Sequence, residues 1–92
     1  MEGWKDIIDT MKELCEPYDV QWTQIKEKFG TLRAYNVCPA EYGDLVDDII
    51  AEAEMLSSIT CIICGKPGAL SKAGGYWILT LCGECEANRA EG

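Results

Sequence analysis

Apolar side chains at Trp4, Ile7, Ile8, Met11, Leu14 and Cys15 recur every three or four residues, with Lys5, Asp6, Asp9, Lys12 and Glu13 between them. That period predicts a helix with one buried face. Pro17 cannot continue it, so the helix ends before that residue. From Val20 to Val37 the pattern shifts to β-branched, aromatic and alternating positions, and Gly30 in EKFGT divides the stretch; this predicts a hairpin. Side chains alternate along a strand, so Thr31, Arg33, Tyr35 and Val37 share one face and Leu32, Ala34 and Asn36 the other. Trp22 and Ile25 in the first strand lie an odd number of residues apart, and only a bulge puts both on one face.

Beyond Cys38-Pro39, the segment EYGDLVDDIIAEAEMLSS predicts the longest helix, with Leu45, Ile49, Ala53 and Leu56 on one stripe and Val46 and Ile50 beside it. From Thr60 onward the chain carries paired cysteines, several glycines, a short apolar run YWILTL and a closing polar segment, ECEANRAEG. No repeat of solenoid length is present. The pattern predicts an α+β chain: helix, hairpin and long helix over residues 1–58, then a distinct C-terminal unit over 59–92, packed together as one compact body.

At 92 residues a single core is only marginally stable without a staple. Six cysteines could supply one as disulfides, but the opening MEGWKDIIDTMKEL has no apolar signal-like stretch, so a reducing, cytoplasmic compartment is the expectation. In that setting paired C-x-x-C units read as metal ligands. Cys61, Cys64, Cys82 and Cys85 follow C-x2-C-x17-C-x2-C, a spacing suited to one tetrahedral zinc ion. Gly65 and Gly83 follow Cys64 and Cys82, where a tight turn calls for an unusual φ. A thioredoxin-like redox site needs a single C-x-x-C opening a helix in a βαβ unit, and the pattern offers no such unit. Iron is the other metal that takes four thiolates. Four sulfurs leave zinc no open position for water, so the ion is structural, and its binding contributes on the order of 10 kcal/mol to folding. Cys15 and Cys38 have no partner by spacing and read as buried structural thiols.

The segments QIKEKFGTLRAY, EAEMLSS, CIICGKPG, GGYW and TLC, in that order, resemble a small zinc-ribbon family of bacteria, phages and prophages. The resemblance spans roughly residues 20 to 85. It implies a C-terminal zinc ribbon with its ion on Cys61, Cys64, Cys82 and Cys85; GGY, residues 74 to 76, lacks the lysine and helix of a phosphate-cradling loop and reads as a turn inside the ribbon. The family often has histidine at the last ligand position, where this chain has Cys85. No established activity comes with the resemblance. A phage or prophage origin is implied, and with it a role against host machinery.

Sixteen acids against eight bases give a net charge of −8, and four thiolates around one divalent ion would add −2. Such a field repels phosphate backbones and favours basic partners. The chain has no histidine, which removes the commonest general base, so no enzyme is expected. Adjacent carboxylates such as Asp47 and Asp48 diverge on a helix. Lys26, Lys28 and Arg33 with Phe29 and Tyr35 form the concentrated basic and aromatic patch, set against a strongly acidic whole. Glu41, Asp44, Asp48 and Glu52 fall at i, i+3, i+7 and i+11, which places four carboxylates along one side of the long helix. Beside them Tyr42, or Tyr76 and Trp77 in the ribbon, could anchor a partner. No apolar run is long enough to span a membrane. The expectation is a small acidic zinc-stabilised module that binds a protein with a basic surface, with a phage-encoded inhibitor of a host nucleic-acid-handling defence protein as its specific form. The alternative is a nucleic-acid-associated zinc-ribbon regulator.

Overall fold

The computed structural model describes residues 1–72 and 78–91. A 3-10 turn over Glu2–Trp4 leads into helix α1 (Lys5–Cys15), and a second such turn over Glu16–Tyr18 takes Pro17 at its start. Strands β1 (Gln21–Lys28) and β2 (Thr31–Val37) form an antiparallel hairpin. Its two connecting residues, Phe29 and Gly30, both have positive φ, 54° and 86°, as a tight hairpin turn that follows the strand twist requires. Next come helix α2 (Gly43–Ser57), short antiparallel strands β3 (Ala69–Ser71) and β4 (Leu79–Leu81), and helix α3 (Gly83–Glu91).

The hairpin carries the bulge that its side chains demand. Gln21 and Trp22 pair with Val37 and Asn36, and the register then slips at Thr23, so that Gln24 faces Tyr35. One extra residue brings Trp22 and Ile25 to the same side, where both pack on the core. On β2, Leu32 is buried and Ala34 packs beside it, while Tyr35 and Val37 are exposed, as the alternation predicts.

The core joins the fully buried Trp4 and Met11 of the N-terminal segment to Leu32, Ala53, Cys61, Ile62, Leu81 and Cys82. The sequence pattern is corrected on α2 and extended at the C-terminal end. On α2 the buried positions are Val46, Ala53 and Ser57, with Ile49 and Ile50 partly buried, whereas Leu45 and Leu56 of the expected stripe stand exposed. The apolar arc of α2 is wider than the surface that α1 and β2 can cover, and the helix settles on its smaller residues. The closing polar segment ECEANRAEG, for which the pattern assigns no element, lies almost wholly in α3.

Buried polar contacts tie these pieces together. The Leu32 N–H donates to Ser57 Oγ at 2.9 Å, fastening β2 to the end of α2. The Thr80 hydroxyl donates to the Gly30 carbonyl at 2.7 Å, fastening β4 to the hairpin turn. Trp4 Nε1–H donates to the Thr60 carbonyl at 2.8 Å across 56 residues of chain. Among the described residues, no helix is long and apolar enough to cross a membrane.

Candidate metal centre

The first cysteine pair sits in a loop closed by its own backbone. The Cys61 N–H donates to the Lys66 carbonyl at 2.8 Å, and the Gly65 N–H to the Cys61 carbonyl at 3.0 Å. Gly65 has φ +83°, the left-handed turn that an L side chain adopts only with strain. The second pair works differently. Gly83 has no positive φ and nothing within 4 Å of a Cβ placed on it, so it serves as the opening residue of α3 and not as a turn glycine. Cys82 caps that helix: its sulfur accepts the Cys85 N–H at 3.4 Å and its carbonyl the Glu86 N–H at 2.9 Å. A sulfur facing the first-turn amides also lies at the positive end of the helix dipole.

These two frames bring the four sulfurs of Cys61, Cys64, Cys82 and Cys85 within 4.8 Å of one another, with Cys64 and Cys82 at 3.5 Å. A tetrahedral ion with bonds of about 2.3 Å to sulfur spaces its ligands about 3.8 Å apart. The four thiols are free, not joined as disulfides, and together they could hold a metal ion. Cys61 and Cys82 are buried, Cys85 half-buried and Cys64 exposed, so the cluster lies at the surface edge of the core.

The environment prepares the sulfurs for unequal charge. Burial pushes the Cys61 thiol up, but the backbone amides of Cys82, Cys64 and Ile63 outweigh it and bring the thiol down to about 6. The Cys85 amide holds Cys82 low. Cys85, hydrogen-bonded to the Cys82 sulfur and then opposed by burial and its other sulfur neighbours, is pushed up to about 12. Four crowded sulfurs cannot all ionise unaided; a cation at their centre is what would make that charge tolerable. Lys66 pairs with Glu84 at 3.2 Å, joining the first cysteine loop to α3, and its pKa is raised by Glu84 first and then by Cys64 and Cys82.

Sequence pattern did not disclose that the N-terminus braces this centre. The Gly3 N–H donates to the Ile62 carbonyl at 2.8 Å, while the Ile62 N–H donates to the Thr80 carbonyl at 2.9 Å. The first cysteine loop is thus held between the N-terminal turn and β4. A Cβ on Gly3 would lie 1.9 Å from the Cys61 carbonyl oxygen and 2.6 Å from the Gly65 nitrogen. The available hint was a glycine immediately before a tryptophan, and nothing in the sequence said what it approached.

The expected partner-binding residues divide. Asp44, Asp48 and Glu52 lie exposed along α2, whereas Glu41 lies in the preceding 3-10 turn over Ala40–Tyr42 and is also exposed. Tyr42 is half-buried, its ring 5.2 Å from that of Tyr18. Tyr76, Trp77 and the GGY turn lie outside the described residues. In the basic and aromatic patch, Lys26 stands over Tyr35 and Lys28 over Phe29, each 5.6 Å from the ring centroid, and Arg33 pairs with Glu54 at 2.9 Å. Cys15 is buried and Cys38 half-buried; burial first, then Cys38, pushes the Cys15 thiol up. Comparison with family models, curated proteins and solved structures returns no match.

Proposed function

We propose that the chain is a small acidic protein-binding module built on a structural zinc ion held by Cys61, Cys64, Cys82 and Cys85. Zinc is the commoner ion for two C-x-x-C pairs at this separation, and four thiolates complete its coordination and leave no place for a substrate. The β3–β4 pair between the cysteine pairs then acts as a zinc ribbon, in keeping with the family resemblance. Work is left to the outer surface. One observation carries the reading: Asp44, Asp48 and Glu52 stand exposed on α2 and take no part in the ion pairs that join Lys5 to Asp9, Arg33 to Glu54 and Lys66 to Glu84. The row keeps its charge for a basic partner, whose encounter it would accelerate. Its specific form is a phage-encoded inhibitor that occupies the basic surface of a host nucleic-acid-handling defence protein.

A second reading rests on the hairpin turn, where Phe29 is 70% exposed with Lys28 beside it, as in a platform on which a base stacks. Affinity capture from the host separates the two readings when run beside an oligonucleotide titration. The first expects a protein whose association slows when Asp44→Lys and Asp48→Lys are introduced and when salt is raised. The second expects oligonucleotide binding that Lys26→Glu with Lys28→Glu abolishes. Tight oligonucleotide binding by the native chain at physiological salt overturns the first.

A further inference from the structure

Resting on the protein-binding reading, we infer that the groove between α1 and α2 is the docking site and that it takes a cationic amphipathic helix from the partner. The groove has a volume of about 250 Å³; buried Met11 and Ala53 form its floor, with Ile7 and Leu14 on one wall and Ile49 and Leu56 on the other. That is below the roughly 300–1,000 Å³ of pockets that enclose drug-sized molecules, and suits one or two anchoring side chains. Its walls stay open, with Leu14 53% and Leu56 39% exposed, and on the same side of the sequence pattern Leu45, one turn before Ile49, and Ile59, just past the end of α2, are 50% and 57% exposed. Among the described residues these apolar side chains stand uncovered, and such a face marks an interaction surface.

Two features of the groove choose the occupant. The walls are helices, whose backbone groups are bonded internally, so the groove offers side-chain contact and no free edge. An extended strand laid there would leave its own N–H and C=O groups unpaired, whereas a helix arrives with them satisfied. Charge supplies the sign. Asp6 and Glu52 line the groove, and Asp48 stands exposed one turn before Glu52, so the apolar seam has an acidic rim. A partner helix with leucine-like residues in the seam and lysine or arginine flanking them matches both. A second copy of this chain would bring the same rim and a net charge of −8 against it.

The test is fluorescence anisotropy with the full metal-loaded chain and a labelled synthetic Leu/Lys peptide carrying leucines at i, i+3, i+4 and i+7. A scrambled peptide of the same composition and a Leu/Glu peptide of the same pattern serve as comparisons. Binding by the patterned cationic peptide alone is expected. Leu14→Gln with Leu56→Gln should weaken it at least about tenfold. Asp6→Asn with Glu52→Gln should weaken it and flatten its salt dependence, whereas Glu16→Gln with Glu86→Gln, which removes the same charge elsewhere, should not. Thermal unfolding of each variant checks the fold, and hydrogen exchange of the native chain should show peptide-dependent protection in α1 and α2. Equal binding of the scrambled peptide, or protection elsewhere, overturns the groove while leaving an acidic protein-binding module intact. Self-association abolished by the leucine substitutions overturns the choice of occupant. Tight binding of a labelled duplex oligonucleotide by the chain alone at physiological salt overturns the protein-binding reading itself.

Discussion

Gly3 shows how one hydrogen atom in place of a methyl group can govern a site elsewhere in the chain. With a Cβ only 1.9 Å from the Cys61 carbonyl oxygen, Gly3→Ala must push the N-terminal turn off the first cysteine loop, at a cost of about 1–3 kcal/mol. Gly43→Ala, where nothing lies within 4 Å, should be neutral or stabilising by about 0.5 kcal/mol. Urea unfolding of both reports the difference. Cys82 caps α3 and, in the proposed centre, also binds the ion, two roles that one substitution separates. Cys82→Ser keeps an oxygen able to cap α3 but removes a ligand, so the metal should be lost and stability should fall by several kcal/mol, of order the coupling between ion binding and folding. A thermal midpoint equal to that of the native chain would show the ion to be peripheral. Since Cys85 is pushed up to about 12 in the ion-free cluster, it keeps its proton at neutral pH, and ion binding must expel it. Affinity should therefore rise with pH, and calorimetric titration in buffers of different ionisation enthalpy should detect the released protons.

Among the elements, those whose side-chain period matches their buried face were legible. The spacing of Trp22 and Ile25 by itself required a bulge, and Thr23 supplies it. Helix α2 was legible as a helix but not in its orientation, because periodicity reports an apolar arc and not which part of it finds a partner; Leu45 and Leu56 lie on the uncovered side. Helix α3 was missed for the opposite reason. Its residues are mostly polar, and its start is set by the Cys82 cap and the site it serves. The hydrogen bonds linking elements were equally hidden, since Ser57 and Thr80 look like ordinary polar positions in sequence. Each is buried and bonds to a backbone group of the hairpin. Ser57→Ala and Thr80→Val should each cost about 1–3 kcal/mol by leaving that group unsatisfied. Equilibrium unfolding should show both losses with little change in the denaturant slope.

At the scale of the whole molecule, the cysteine cluster is where the parts of the chain converge. Cys61 and Cys82 belong to the same buried cluster as Trp4, Met11 and Leu32, so an ion at the four sulfurs joins the N-terminal turn, the hairpin and both C-terminal strands. The candidate ligands were legible from spacing alone, since two C-x-x-C pairs have few other uses in a chain of this kind; their bracing by Gly3 was not. Structural zinc contributes on the order of 10–16 kcal/mol, against the 5–15 kcal/mol of net stability typical of a domain. The ion-free chain should therefore lose its cooperative fold and not just its C-terminal part. Native mass spectrometry of protein purified without added metal tests this most directly. The account predicts a mass greater than that of the chain by one zinc ion less the displaced thiol protons, and a shift to the high charge states of an unfolded chain once the ion is chelated. A compact, ion-free species with four free thiols at Cys61, Cys64, Cys82 and Cys85 would contradict it.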